Sequence, residues 1–480
     1  MNYKIIVYII GFVLKIEAAL LLLPLLVGIL YQEQATWALL YSVLICAVVG
    51  FALSWKRPKN DHFHVKEGYV AVALSWIVLS IFGALPFMLS GVIPHPIDAI
   101  FETVSGFTTT GASILPEVES LPKCILFWRS FTHWIGGMGV LVFLLTILKM
   151  GNGSHMNLMK AESPGPSVSK LVPTVRSTAK LLYSIYLIMT LALIVFLLVG
   201  KMSLFDAVTT AFGTAGTGGF GIKNDSIGSY SIYIQVVVTI FMILFGVNFN
   251  AYYLILAKKW KQAFSIEEVR WYFIIIVTAV VIIGIDVMDY FGNNILVSIQ
   301  QAAFQVGSII TTTGFATTDF NLWPELSRTI LVLLMFVGAC AGSTGGGMKV
   351  SRFLIIFKAM KKEMHQYLHP RQVRKIHMDG KTVEHEVVRN VNVFIAAYFS
   401  IYVISMLVLS LDGLDLITNF TAIAATLNNI GPGLELVGPA SNFGVYSYAS
   451  KIMLTFDMLA GRLEIFPLIL LFFRDTWKKF

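Results

Sequence analysis

The chain has 480 residues, of which 56% are hydrophobic and only 13% charged, with a mean hydropathy of +0.77. That is about half the charge of an ordinary soluble protein, which excludes a freely soluble domain and requires a polytopic membrane protein in contact with lipid. The net charge of +8 does not point to nucleic acid, because the basic residues collect in alternate loops between apolar runs.

The N-terminal stretch carries Lys4 and then a long apolar run interrupted by Lys15 and Glu17. No small-residue cleavage site follows a short core, so a retained membrane helix is expected. Hydropathy gives ten candidate spans, roughly 4–30, 36–55, 67–91, 122–149, 176–200, 229–258, 268–291, 325–360, 388–411 and 444–473. An even number places both termini on the cytoplasmic side. Basic clusters at 56–66, 149–180, 258–270 and 349–389 mark the cytoplasmic loops, whereas Glu117, Glu119, Asp225, Asp319, Glu325 and Glu435 mark the outer ones. Cys46, Cys124 and Cys340 lie in or beside apolar stretches without a metal-ligand spacing, and read as buried thiols.

Between the members of the last four pairs of spans sit shorter apolar segments, such as 97–107, each followed by a Gly-centred stretch. These are TTTGAS (108–113), GTGGFG (216–221), TTTGFA (311–316) and NNIGPG (428–433). Gly111, Gly219, Gly314 and Gly431 are separated by 108, 95 and 117 residues, which indicates internal repeats. About eleven residues at ~1.5 Å each cross only half of a ~30 Å core, so each segment must enter and return on one side. Asp98 and Asp206 both stand 13 residues before their glycine, and Phe101 and Phe304 both stand 10 before. Ser105, Gly213, Ser308 and Ala425, six before, are all small, which permits close helix approach.

The expected architecture is therefore an all-α membrane protein of ten transmembrane helices. Two extra N-terminal helices (1–60) precede four pseudo-repeats of helix, re-entrant pore helix, filter and helix, at 61–150, 151–262, 263–365 and 366–480.

Extended backbone at membrane depth survives only where it lines a cavity or meets an ion. Carbonyl oxygens from four strands can replace the hydration shell of a potassium ion, and glycine supplies the backbone angles this requires. The candidate ligands are Thr109, Thr110 and Gly111; Thr217, Gly218 and Gly219; Thr312, Thr313 and Gly314; and Asn429, Ile430 and Gly431. Each half-helix presents the negative end of its dipole to these strands. None of the four stretches contains a carboxylate, which favours a monovalent ion over calcium or magnesium.

The span after the third stretch contains GACAGSTGGG (338–347), and a straight helix over 325–360 would run about 54 Å, too long for one crossing. A break at Gly338, Gly342, Ser343, Thr344, Gly345, Gly346 and Gly347 would leave an unwound loop under the filter, suited to a gate. A rigid kink that only packs is the plain alternative. A phosphate-binding loop is discarded, because Met348 stands where the lysine should be and no strand precedes it.

Arg462, in the apolar run 453–473, must face a cavity or a partner. Its options are the carbonyls of the unwound loop, an ion pair with Asp457 or Glu464, or snorkelling to the interface. Arg129 and His133, one turn apart, read as a structural pair. His365 and His369 have i, i+4 metal spacing without acidic support, and read as a solvated face.

At these residues the chain resembles the Trk-type potassium uptake proteins of the Trk/Ktr/HKT superfamily, over almost its whole length. The motifs carrying the resemblance are TTTGAS, TGGFG, TTTGFATTDF and NNIGPGL, with FWRSFTHWIGGMGV (127–140), GACAGSTGGGMKVSR (338–352) and GRLEIFPLI (461–469). The two leading helices match the Trk branch. The resemblance implies a homodimer in the cytoplasmic (inner) membrane with one pore per subunit, a filter on the four glycines, and an intramembrane loop gating each pore. It also implies a cytosolic ring of nucleotide-binding regulatory subunits against the basic inner face. Glycine at all four points goes in this family with potassium preference, whereas serine at the first would suggest sodium. The second stretch carries fewer hydroxyls than its relatives usually do.

The resulting expectation is potassium uptake through a channel-like transporter surrounded by lipid, with no nucleic-acid partner. A symporter coupling potassium to sodium or protons is the first rival. A membrane-embedded enzyme or sensor is the second, and would need a convergent set of catalytic groups where the spans offer only scattered singles.

Overall fold

The structure is a computed structural model that describes residues 1–56, 58, 65–139, 175–372 and 374–478. The chain is mostly helical, with one two-stranded antiparallel hairpin pairing His377–Met378 with Lys381–Thr382 in the loop before the helix His385–Leu409. That hairpin is the exception to an all-helical reading. The basic residues from 149 to 170 lie outside the described residues.

Among the described residues, six helices are long and apolar enough to cross a membrane: Tyr3–Tyr31, Thr36–Leu53, Val65–Leu89, Thr178–Val199, Glu267–Asp286 and His385–Asp412. The remaining four candidate spans share one position in the repeat, directly after the Gly-centred stretch, and each begins with a short helix; residues 140–149 of the first lie outside the described residues. These helices are Lys123–Gly137, Ile232–Phe245, Glu325–Val337 and Tyr448–Arg462, with 15, 14, 13 and 15 residues. The second continues as Phe249–Leu256 after a bend of 91°. A break is thus not peculiar to the third repeat. In the third repeat the interruption runs from Gly338 to Lys349, before the helix Val350–Leu368 begins.

The half-helices are Pro96–Phe107, Leu204–Gly216, Ile295–Ile310 and Leu416–Leu427. Their starts are set locally. Ser203, Asn294 and Asp415 cap the last three, accepting from the N–H groups of Asp206, Val297 and Thr418 at 3.1, 3.3 and 2.9 Å. The first begins with Pro96, whose missing donor costs nothing at that position. Asp415 sits at the outer loop boundary, and its hydrogen bonds with Thr418 hold its carboxyl below the ordinary aspartate range.

The half-helices form the buried centre and the long helices face outward. Phe101, Phe107, Phe304 and Phe315 are fully buried, whereas Trp37, Val48 and Phe51 on the second helix stay exposed as lipid contact. Helix 123–137 approaches the first half-helix so closely that a Cβ on Gly136 would overlap the Phe107 carbonyl oxygen. Gly307, in the third half-helix, would meet nothing nearer than Ile243 Cγ1 at 3.4 Å. Gly136→Ala should therefore lower the thermal unfolding midpoint of the detergent-purified protein, at a cost of about 1–3 kcal/mol. Gly307→Ala should leave it unchanged or raise it, by up to about 1 kcal/mol of helix propensity.

Candidate filter and the loop beneath it

Each half-helix ends the same way. The residue two before the key glycine, Thr109, Thr217, Thr312 or Asn429, adopts a left-handed φ of 57, 54, 59 or 56°. The residue after it, Thr110, Gly218, Thr313 or Ile430, donates its N–H five residues back, to the carbonyls of Ser105, Gly213, Ser308 and Ala425 at 2.9, 2.9, 2.8 and 2.8 Å. These are Schellman-type helix ends in which a non-glycine residue takes the left-handed place. For threonine that conformation is an outlier, held by its surroundings at the site where it is used. The small residues six before the glycine are thus the acceptors of this turn, a role that their size alone did not disclose. The glycines themselves follow with φ of 80, 80, 83 and 104°.

The four glycines close a ring in chain order. A Cβ on Gly111 would overlap the carbonyl oxygen of Gly218, one on Gly219 that of Thr313, and one on Gly314 that of Ile430. One on Gly431 would come within 2.8 Å of the carbonyl oxygen of Thr110. Every strand thus lays the oxygen before its own glycine against the open face of the glycine in the preceding strand. All four glycines line one cavity of about 140 Å³. The twelve candidate ligands are brought to this ring; nine of them are buried, and Gly111, Gly219 and Gly314 are partly exposed.

The side chains repeat on the diagonal. Thr108 and Thr110 share a hydroxyl hydrogen bond of 2.8 Å, and so do Thr311 and Thr313. Asn429 donates to Thr110 Oγ1 at 2.9 Å, linking the fourth strand to the first.

Behind the ring lies a set of polar residues, of which Glu102 and Gln305 belong to no motif of the sequence. Glu102, fully buried, accepts from Ser113 Oγ at 2.9 Å and Ile114 N–H at 3.0 Å, tying its half-helix to the outgoing strand. Gln305, at the same distance from its glycine, donates to Thr317 Oγ1 at 3.3 Å in the third repeat. Arg129 does not pair with His133. It makes an ion pair with Glu102 at 2.6 Å, donates to the Gly221 carbonyl at 2.9 Å, and lies 3.6 Å over the Phe220 ring. His133 Nδ1 donates to the Gly106 carbonyl at 2.8 Å, and Nε2 accepts from Phe220 N–H at 3.1 Å. A carbonyl can only accept and an N–H only donate, so the imidazole is neutral with its proton on Nδ1. Together they bolt the second strand to the helix after the first.

The outer loops close a second ring. Val118 N–H donates to Asn224 Oδ1 at 2.9 Å, and Ile227 N–H to the Ala316 carbonyl at 3.0 Å. Glu435 N–H donates to Asn321 Oδ1 at 2.9 Å, and Phe443 N–H to the Ser113 carbonyl at 2.8 Å.

Below the filter the helix breaks come together. A helix that stops leaves its last carbonyls without donors, which at membrane depth must be found elsewhere. Loop 338–349 supplies some of them. Cys340 N–H donates to the Gly246 carbonyl at 3.1 Å, Thr344 Oγ1 to the Phe245 carbonyl at 3.2 Å, and Phe249 N–H to the Gly342 carbonyl at 3.0 Å. The loop also touches the base of the filter, through Gly346 N–H to Thr312 Oγ1 at 2.6 Å and Gly347 N–H to the Asn428 carbonyl at 3.0 Å. Arg462 donates to the Thr344 carbonyl at 3.1 Å, Thr109 Oγ1 at 3.3 Å, the Gly137 carbonyl at 2.9 Å and the Gly136 carbonyl. Of its three options it takes the loop. Asp457 instead accepts from Ser405 at 2.8 Å, and Glu464 pairs with Arg352. The rings of His365 and His369, at the C-terminal end of helix 350–368, lie tilted with centroids 4.7 Å apart, and no metal-ligand cluster occurs among the described residues.

A family model for the cation transport protein TrkH matches residues 37–479. The chain is 36% identical over its whole length to the Trk system potassium uptake protein TrkH of Escherichia coli strain K12, covering 100% of both. It is 32% identical to the Trk system potassium uptake protein TrkG of the same strain, covering 99% of each. The crystal structure of the potassium transporter TrkH from Vibrio parahaemolyticus superposes with a TM-score of 0.90 at 34% identity, covering 100% of both chains.

Glu102→Ala should strand Arg129 in a buried site and lower the unfolding midpoint, at a cost on the order of 3–5 kcal/mol. Glu102→Gln, whose single amide oxygen can keep the bonds from Ser113 and Arg129 to Oε1 but not the one from Ile114 to Oε2, should cost less than Glu102→Ala in the same measurement.

Proposed function

Because the chain belongs to the TrkH family of cation transport proteins, we propose that it carries potassium inward through the ring of Gly-centred strands. The observation that carries the reading is the closed cycle of glycine faces and carbonyl oxygens around one cavity. A potassium ion stripped of water is coordinated there by main-chain oxygens of 109–111, 217–219, 312–314 and 429–431, with the half-helix C-termini adding partial negative charge. The inside-negative potential drives entry at about 2.3 kcal/mol per charge per 100 mV, so no chemical step is required.

Loop 338–349 is the gate in this reading, and Arg462 is the side chain that holds it shut. Support comes from the loop's contacts with Thr312 and Asn428 at the filter base and from the hydrogen bond of Arg462 to Thr344. The surrounding organisation is ten spans in two leading helices (1–60) and four repeats (61–150, 151–262, 263–365, 366–480), with both termini cytoplasmic. The active assembly is a homodimer whose basic inner loops seat a ring of nucleotide-binding regulatory subunits.

Potassium currents in proteoliposomes test the reading. The reversal potential should follow the potassium gradient alone; a shift with sodium or pH would instead establish a coupled symporter. Gly314→Ser, which places a side chain against the Ile430 carbonyl at a left-handed φ, should reduce potassium over sodium discrimination about tenfold, since ~1–2 kcal/mol of strain is introduced. Arg462→Ala should raise conduction in the absence of any cytosolic protein, and currents equal to the parent's would rule out its role at the gate.

A further inference from the structure

Loop 338–349 is closed on itself at its neck. Val350 N–H donates to the Ala339 carbonyl at 3.1 Å, and a Cβ on Gly347 would meet Gly338 Cα at 2.7 Å. A segment pinched in this way moves as a unit about its neck, in the manner of an Ω-loop. Both sides of the neck are held by one atom. Glu268 Oε1 accepts from Ala341 N–H at 2.7 Å and from Ser351 N–H at 3.0 Å, and Glu268 is 3% exposed.

The helix that carries Glu268 is itself fixed from the cytoplasmic side. Asp379, in the turn of the hairpin, accepts from Glu267 N–H at 2.7 Å. Lys358, on the helix that leaves the loop, pairs with the Glu267 carboxylate at 2.6 Å and donates to the His377 carbonyl at 2.7 Å. Adjacent residues thus face opposite ways: Glu267 toward the hairpin and inner helix, Glu268 toward the loop. The tip of the loop, by contrast, is held by the filter base and Arg462.

We propose that Glu268 is the neck latch of the loop, a positioning residue whose single oxygen holds the two ends of the loop to helix 267–286, and whose release lets the loop withdraw from beneath the filter. Both partners are N–H donors, so the latch is specific to an acceptor oxygen at that point. The inference rests on the gate reading for its functional consequence, but the latch itself is a statement about the loop alone.

Cys340, buried and unpaired beside the latched Ala341, reports loop release directly. The experiment uses the full chain with Cys46→Ala and Cys124→Ala, in inside-out vesicles without cytosolic protein. It measures the rate of Cys340 modification by a water-soluble maleimide, together with potassium flux. Glu268→Ala should label about tenfold faster than the parent, equivalent to about 1.4 kcal/mol, with increased flux. Glu268→Gln, which retains the acceptor oxygen, should stay within about threefold of the parent in both. Ser351→Pro removes only one donor, in a first helical turn that tolerates proline, and should fall between the two. Faster labelling without greater flux keeps the latch and removes the gate reading. Labelling unchanged in Glu268→Ala overturns the latch, and if that variant does not fold, unchanged labelling in Ser351→Pro does so.

Discussion

The architecture depends on four places where a side chain is missing. At 111, 219, 314 and 431 the face of the residue is filled by a carbonyl oxygen from the next strand of the ring, or in the last case from the first strand. Any Cβ there would push a neighbouring strand outward, and because the contacts run in a cycle, one displacement would open the whole ring. The left-handed residue two positions earlier and the backbone turn onto Ser105, Gly213, Ser308 and Ala425 deliver each glycine to that contact at the same angle. Equivalent backbone, reached with different side chains, is what the repeats share.

The same logic governs the inner side. Four helices of 13 to 15 residues stop below the ring. Their terminal carbonyls would be costly in lipid, and they are answered by one another: Arg462 of the fourth repeat reaches the first and third, and the loop of the third reaches the second. An intramembrane loop is therefore anchored by the very groups that broken helices leave exposed, and removing it would leave the Gly246 and Phe245 carbonyls without those donors.

The parts legible in the sequence are those written as local pattern. Apolar length marked the membrane helices, and glycine spacing marked the ring, because a left-handed glycine after a short apolar segment is a local requirement. The loop at 338–347 was legible for the same reason, since its glycines cannot continue a helix. The break after Phe245 was not, because Gly246 alone is compatible with a helix interior and the bend is made by contacts with residues almost a hundred positions away. Glu102, Gln305 and Glu268 escaped attention because their partners are distant in sequence or are main-chain groups, which no side-chain motif records. Arg129 was paired with His133 on helical spacing, although both point to other elements.

Likeness among the quarters is not full symmetry, and the departures follow the diagonal of the ring. The first and third strands carry closed threonine pairs and a polar residue, Glu102 or Gln305, that binds the outgoing strand to its own half-helix. At the same place the second and fourth repeats have Thr210 and Ala422. The second strand leans instead on His133 of the first repeat, through Phe220 N–H, and the fourth is tied to the first through Asn429. The fourth is also held by its own half-helix, where Thr421 Oγ1 accepts from Leu434 N–H at 2.9 Å. Three outgoing strands are thus tied to their own half-helices, while the second leans on the first repeat through His133. The loop tip meets the third and fourth repeats, at Thr312 and Asn428, so the filter and the loop beneath it are mechanically one unit.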